Sequence, residues 1–244
     1  LYWQQLPYSE IDRFPRERTI LILPVGAIEA HGPHLPVSTD NLISEAMAES
    51  ALPTLKEHGW QALILPTLPF TVAEFASEFC GTLSFSPATV QAWFADLGNN
   101  LQKGGWRYLA IANSHLDPTH LGTLQAVIAD FPLQVIFPDL TRRRWASQMS
   151  AEFQSGACHA GQYEGSVVLA RQPDWTRPMQ HLADVQHSLV EAIRSGKKSF
   201  VQAGGKQAYF GSPRLATAQE GVETIARLGQ ILSQAILEQV QPST

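Results

Sequence analysis

Cysteine is scarce in this chain. Cys80 and Cys158 are its only two in 244 residues, too few and too far apart for a disulfide framework or a zinc ribbon, and free thiols in a reducing compartment are the expectation. Positive charge is also thin: 17 Lys and Arg face 22 Asp and Glu, a net charge of -5, which argues against a nucleic-acid partner because phosphate binding calls for a concentrated basic face. The one basic run, Arg142-Arg143-Arg144, reads as a solvated face or an ion-pair cluster at a helix start. No apolar run approaches the roughly 18 residues that span a bilayer, and residues 1–18 lack a basic segment followed by an apolar one. No membrane partner and a cytoplasmic location are therefore expected. Internal repeats and low-complexity linkers are missing too, so nothing marks a boundary, and a single domain over 1–244 is expected.

What the chain does have is short Ile, Leu and Val runs alternating with longer amphipathic stretches, the pattern of parallel strands covered by helices on both faces. Strands are expected at 19–25, 62–66, 108–112, 133–137 and 165–170. Ser86-Pro87 and Asp117-Pro118 each place a capping residue before a proline, the signature of a helix start. The first of these helices should stop at Gly104-Gly105, a further one should run from near Asp40 to just before Pro53, and the last from about 216 to 240. The stretch 171–213 reads as an irregular loop with a helix near 182–194, long enough for a lid or a subunit contact. The fold class is α/β with one open, mostly parallel sheet, whose chemistry belongs at the carboxyl edge of the strands.

Three clusters fall at or near expected strand ends. Glu29 and His31 follow the first strand, and Asp40 comes nine residues after His31; residues two apart in an extended segment face one cavity. Taken alone, Asp40 reads as a helix cap, a role open to Thr39 as well. The second cluster is Asn113-Ser114-His115-Leu116-Asp117, and the third runs from His159 to Glu164. Five of the eight histidines, His31, His34, His115, His120 and His159, lie in or beside these segments, each near a carboxylate. Mixed imidazole and carboxylate donors suit zinc, manganese or ferrous iron, and one aspartate between two ions would make a dinuclear centre. Nucleophile chemistry has weaker support: no His-Glu-x-x-His helix, Gly-x-Ser-x-Gly elbow or phosphate-cradling loop is present. Ser38, Ser114 and Ser166 sit on no recognisable elbow, and Cys158 beside His159 is a poor thiol and base pair because adjacent residues seldom meet in the required geometry.

The segment from Gly26 to Asp40 resembles the Gly-x-x-Glu-x-His-Gly-x-His-Leu-Pro-x-x-Thr-Asp signature of the creatininase (creatinine amidohydrolase) family. Phe79-Cys80-Gly81-Thr82, Asn113-Ser114-His115, the block from His159 to Ser166, and Ala216-Thr217 through Gly221 resemble further motifs of that family. The resemblance implies a three-layer α/β/α sandwich, commonly assembled as a hexamer, so a homo-oligomer. It also implies hydrolysis of a non-peptide C–N bond in a small polar amide, cyclic amide or formamide. Two divalent ions would serve it, zinc in one site with zinc, manganese or ferrous iron in the other. Glu29, Asp40 and His115 would hold one ion, and His31, the shared Asp40 and Glu164 the second. His159 would act as general acid or base, or else orient Glu164. Asp117 would bind metal, move protons, or simply cap the helix after it.

Departures from the family pattern touch the substrate side. Phe75-Ala76 stands where many members have Glu-His, Cys80 where they have proline, Asn113-Ser114-His115-Leu116-Asp117-Pro118 where they have Asn-Gly-His-Gly-Gly-Asn, Gly165 where they have threonine and Ser212 where they have aspartate. Creatinine is accordingly a doubtful substrate. Trp175, Phe200, Tyr209 and Phe210 are candidates to line a pocket for a ring, although aromatics in a loop more often form subunit contacts. A formamide hydrolase acting on a nucleotide-like intermediate and a peptide-trimming peptidase are close alternatives, and a noncatalytic metal-binding scaffold is the alternative of another class.

Overall fold

A computed structural model describes residues 1–240, so the last four residues of the expected 1–244 domain lie outside the described part. Four parallel strands, β1 (Thr19–Val25), β2 (Gln61–Ile64), β3 (Tyr108–Asn113) and β4 (Gln134–Ile136), form one sheet in the order β2-β1-β3-β4. The helices are α1 (Tyr8–Ile11), α2 (Thr39–Glu57), α3 (Pro87–Lys103), α4 (Pro118–Ala129), α5 (Arg143–Ala146), α6 (Ala151–Ser155), α7 (Gln162–Arg171), α8 (Leu189–Arg194) and α9 (Ala218–Gln239). Every residue of β1 is buried because the strand is central and covered on both faces. Ile20 and Ile22 pack with Met47, Val167 and Leu232 under α2, α7 and α9, whereas Leu21, Leu23 and Val25 pack with Phe94 and Leu124 under α3 and α4. The result is the three-layer α/β/α sandwich.

Helix starts follow their capping chemistry. Ser86 accepts the Thr89 amide, and Asp117 accepts the amides of Thr119 and His120, each ahead of a proline at the first helical position. Helix α3 ends at Gly104 as expected. Helix α2 runs past Pro53 to Glu57, where the pattern predicted a stop. Proline removes one hydrogen bond, but fully buried Leu55 anchors the last turn in the core beyond it.

The clearest difference is at 165–170, expected as a strand and found inside α7. Tyr163, Glu164, Ser166, Val167 and Val168 are all buried, and a short apolar run looks alike in an enclosed helix and an enclosed strand. The helix expected near 182–194 contracts to six residues, started by the Ser188 cap on the Glu191 amide. The arginine run behaves as an ion-pair cluster: Arg142 lies 3.1 Å from Asp139, and Arg144 meets Glu238. No helix among the described residues is long and apolar enough to cross a membrane.

Register decides where chemistry can gather. Val25 pairs with Asn113, so β1 and β3 end side by side and the loops leaving them, 26–38 and 114–117, emerge from the same edge.

Candidate metal centre

The loop after β1 lies flush against the start of α2. A Cβ at Gly26 would fall 2.4 Å from Asn41 Oδ1, so only glycine fits there, and Gly32 turns the chain at a φ of +66°. The Glu29 amide donates to the Val37 carbonyl, and the Ala30 amide to Thr82 Oγ1, fixing the loop at both flanks. The capping role read for Asp40 or Thr39 belongs to neither. Ser38 is the N-cap and makes no side-chain cap bond, while Thr39 Oγ1 donates to the Pro36 carbonyl at 2.7 Å. Asp40 sits in the first turn of α2, fully buried, with its carboxylate turned to the histidines.

Three imidazoles are held in one manner. Nδ1 of His31 lies 3.1 Å from the Glu29 carbonyl oxygen, Nε2 of His115 lies 2.7 Å from that of Val72, and Nε2 of His159 lies 3.0 Å from that of Ala30. A carbonyl oxygen only accepts, so each of these nitrogens carries a proton and the opposite nitrogen faces inward, where it holds a proton or, once unprotonated, offers its lone pair to a cation. His31 Nε2 then lies 3.4 Å from Asp40 Oδ1, 3.5 Å from Glu164 Oε2 and 3.9 Å from Glu29 Oε1. His115 Nδ1 lies 3.0 Å from Asp40 Oδ2 and 3.2 Å from Glu29 Oε1. His159 Nδ1 is 3.7 Å from Glu29 Oε1.

Asp40 thus turns one oxygen toward His31 and Glu164 and the other toward His115 and Glu29. Two donor groups result, Glu29 with Asp40 and His115, and His31 with Asp40 and Glu164; a third, Glu29 with His31 and His159, overlaps both. Glu29 Oε2, His31 Nε2 and both Asp40 oxygens are buried without a hydrogen-bond partner. Orphaned donors of this type, converging and enclosed, fit a divalent cation, since buried polar atoms otherwise find partners.

The electrostatics carry the same sign. Burial alone would lower His31, yet Asp40, Glu164 and Glu29 hold it up to about 10. His115 is likewise raised against burial by Glu29 and Asp40. Burial would raise Asp40, but His31 and His115 draw it far below the usual carboxylate range, while burial pushes Glu164 up to about 8 against the pull of His31. The centre attracts positive charge, whether protons or a metal ion. Outside this group, burial and the charge of His31 push His159 well below its ordinary value. Burial, then Glu164, lifts the Cys158 thiol to about 12, which leaves no thiolate for a nucleophile at neutral pH.

All seven expected site residues, Glu29, His31, Asp40, His115, Asp117, His159 and Glu164, come together within this region. Asp117 is bonded on both oxygens: Oδ1 accepts from Thr119 and His120, and Oδ2 accepts the Phe75 amide at 3.0 Å. Ser114 donates to the Asp40 carbonyl at 2.7 Å and pairs with Ser44. His120 holds Asn113, whose amide donates to the His115 carbonyl. Of the four aromatics considered for a pocket, Phe200 lines the cavity beside the carboxylates, whereas Trp175 is half exposed beside the 33–38 loop.

The sequence reading assigned no role to the supports, though it counted His34 among the five clustered histidines. Glu152 of α6 accepts the amides of Tyr163 and Ser212, both at 2.7 Å, and so holds the start of the helix that carries Glu164. Its acceptors are used by residues 11 and 60 positions away, a pairing no local spacing reveals. His34 places Nε2 2.9 Å from the carbonyl oxygen of Ala160, whose φ of +50° directs its amide to Glu164. Leu189 and Ile193 also enter the cavity from a stretch with no motif of its own.

The sequence model of the family described as creatininase, creatinine amidohydrolase, matches residues 4–236. The mycofactocin precursor peptide peptidase of Mycobacterium tuberculosis (strain ATCC 25618 / H37Rv) is 26% identical over 233 residues, covering 92% of this chain and 87% of that protein. The creatinine amidohydrolase of Pseudomonas putida is 29% identical over 103 residues, 40% of this chain and 38% of that one. A solved structure described as creatininase Mn superposes with a TM-score of 0.72 at 21% identity, covering 99% of each chain.

Proposed function

Given that the chain belongs to the creatininase family, shown by the match over residues 4–236, we propose that it is a metal-dependent hydrolase that cleaves the C–N bond of a small amide, cyclic amide or formamide. The observation that carries this reading is Asp40, fully buried and shared by two donor groups whose donor atoms all face inward. Glu29, Asp40 and His115 would hold one divalent ion and His31, Asp40 and Glu164 the other, with zinc, manganese or ferrous iron suited to these donors. Bound there, such ions supply Lewis acidity toward a carbonyl oxygen and make a water more acidic.

The remaining work falls to side chains. His159 keeps its Nε2 proton on the Ala30 carbonyl, which leaves Nδ1 facing the centre to accept a proton from the attacking water and return it to the departing nitrogen. Burial lowers its pKa, so the ring is neutral and Nδ1 carries a lone pair. The bonding of Asp117 supports a capping and positioning role, since its oxygens already hold Phe75 and the start of α4. The peptide-trimming alternative draws support from the mycobacterial relative, matched over 92% of this chain. A noncatalytic scaffold is disfavoured because every expected donor is present and aimed. Exposed Phe70 and Phe85, with ring centroids 5.3 Å apart, and exposed Leu83 and Trp93 support a homo-oligomer, and the paucity of cysteine a cytoplasmic setting.

Metal analysis joined to a substrate panel tests the reading. Cyclic amides, N-formyl compounds and short peptides are assayed with zinc, manganese and iron separately. Two divalent ions per chain and hydrolysis of at least one class are expected, with Asp40→Ala removing both. Fewer than one ion per chain, unchanged by Asp40→Ala, would sink the proposal.

A further inference from the structure

The cavity over the metal centre has two unlike walls. One is the ring of carboxylates and imidazoles; the other is built by Phe75, Leu189, Ile193 and Phe200, which pack together from separate parts of the chain, and Leu116 also lines the space. No lysine or arginine lines the space. The acids that do are the candidate ligands and Asp117, whose oxygens are engaged by backbone amides. A charged group entering beside the apolar wall would find no free counter-charge, and burying it there would be unfavourable. An alkyl or aryl group would instead replace water along that wall with favourable contacts.

We propose that Phe75, Leu116, Leu189, Ile193 and Phe200 form a specificity pocket for an uncharged apolar group attached next to the scissile bond of the substrate. The assignment rests on the hydrolase reading above and names the class of amide it would take. Phe200 links recognition to chemistry. Its ring stacks on His159 with centroids 4.1 Å apart and planes at 29°, and lies 6.0 Å from Phe75. An apolar group packed against Phe200 therefore sits beside the imidazole that handles the proton. The cavity has a volume of about 30 Å³ and is partly open to solvent, so α8 and Phe200 must give way for the group to enter. These are tied to the body by the Leu189 amide on the Gly156 carbonyl and the Phe200 amide on the Phe75 carbonyl, both 2.9 Å.

Two series of amides read the pocket on the metal-loaded full chain. In one, acyl anilides carry methyl, propyl, isobutyl, benzyl, carboxyethyl or aminoethyl on the carbonyl; in the other, N-acetyl amides carry the same groups on nitrogen. In one series kcat/KM should rise about 10-fold or more from methyl to isobutyl or benzyl, the scale of discrimination an apolar pocket provides per methylene or more, and the carboxyethyl member should be the poorest. Phe200→Ala and Leu189→Ala should flatten that gradient about 10-fold. Half-buried Ile193, at the edge of the cluster, provides the second arm: Ile193→Asp should shift preference toward the aminoethyl member. A wild-type rate indifferent to the size of the group, a preference for carboxyethyl, or a gradient unchanged in all three variants would overturn the pocket while leaving the hydrolase standing. Absence of hydrolysis in both series and in the broader panel would overturn the hydrolase reading and the pocket with it.

Discussion

At the scale of single residues, the proposed function turns on which nitrogen of each histidine is occupied. His159 is fixed by the Ala30 carbonyl and faces the carboxylates with Nδ1. Replacing it by alanine should lower kcat about 10²- to 10⁴-fold, with metal content, measured by elemental analysis, unchanged. Retained kcat would remove it from proton transfer. His34 makes a separate prediction. Burial, opposed by its bond to the Ala160 carbonyl, brings it down to about 4. Between pH 6.5 and pH 4 the unfolded chain therefore takes up a proton that the folded chain refuses. Stability is unaffected by this group above about pH 6.5 and falls with pH through the window, by roughly 3 kcal/mol at its end. Urea midpoints of the metal-free protein between pH 4 and 7.5 should show this dependence reduced in His34→Gln; an equal dependence in both proteins would place the titration elsewhere.

Elements bring these residues together through close approaches that local sequence does not advertise. The carboxylate of Glu152 caps α7 from outside, where Gly161 provides no side chain of its own. Gly211 is needed beside it, because a Cβ there would fall 2.1 Å from Glu152 Oε1 and φ is +83°. Glu152→Ala leaves two amides without their acceptor and should cost about 1–3 kcal/mol in denaturant unfolding, together with weaker metal retention through Glu164. Helix α9 relies on the same device: a Cβ at Gly221 would lie 1.9 Å from the Ser166 carbonyl oxygen on α7. Gly221→Ala should therefore cost about 1–3 kcal/mol by forcing the helices apart, whereas Gly122→Ala, with nothing within 4 Å of its Cβ, should not destabilise the fold. Equal effects at the two positions would contradict this account of α9 packing.

Across the whole molecule, buried charge at the candidate metal centre and folding are linked. Glu29, Asp40 and Glu164 are all under 4% exposed, so three carboxylates share one interior volume with only protons or a cation to offset them. A divalent ion at 100 times its dissociation constant should add about 2.7 kcal/mol per site. For a chain of this size that corresponds to roughly 5–10 °C in Tm. Differential scanning fluorimetry with EDTA and then with excess manganese or zinc reads the shift, which should vanish in Asp40→Ala. A Tm indifferent to metal would mean that the cluster is not a cation site.

The sequence by itself determined the alternation of strands and helices, the capped starts of α3 and α4, and which side chains are candidate donors. Each of these depends on chemistry within a few residues: apolar periodicity, a capping oxygen before proline, or an imidazole near a carboxylate. It misread 165–170, because enclosure on all sides erases the period that separates helix from strand, and it gave Asp40 a capping option that Ser38 holds instead. Only the tertiary structure decided that Asp40 divides its two oxygens between two donor groups, that Glu152 and His34 support Glu164, and that an apolar wall faces the carboxylates. Those facts depend on register, above all on Val25 beside Asn113, and on contacts between segments far apart along the chain, whose directions no local pattern encodes.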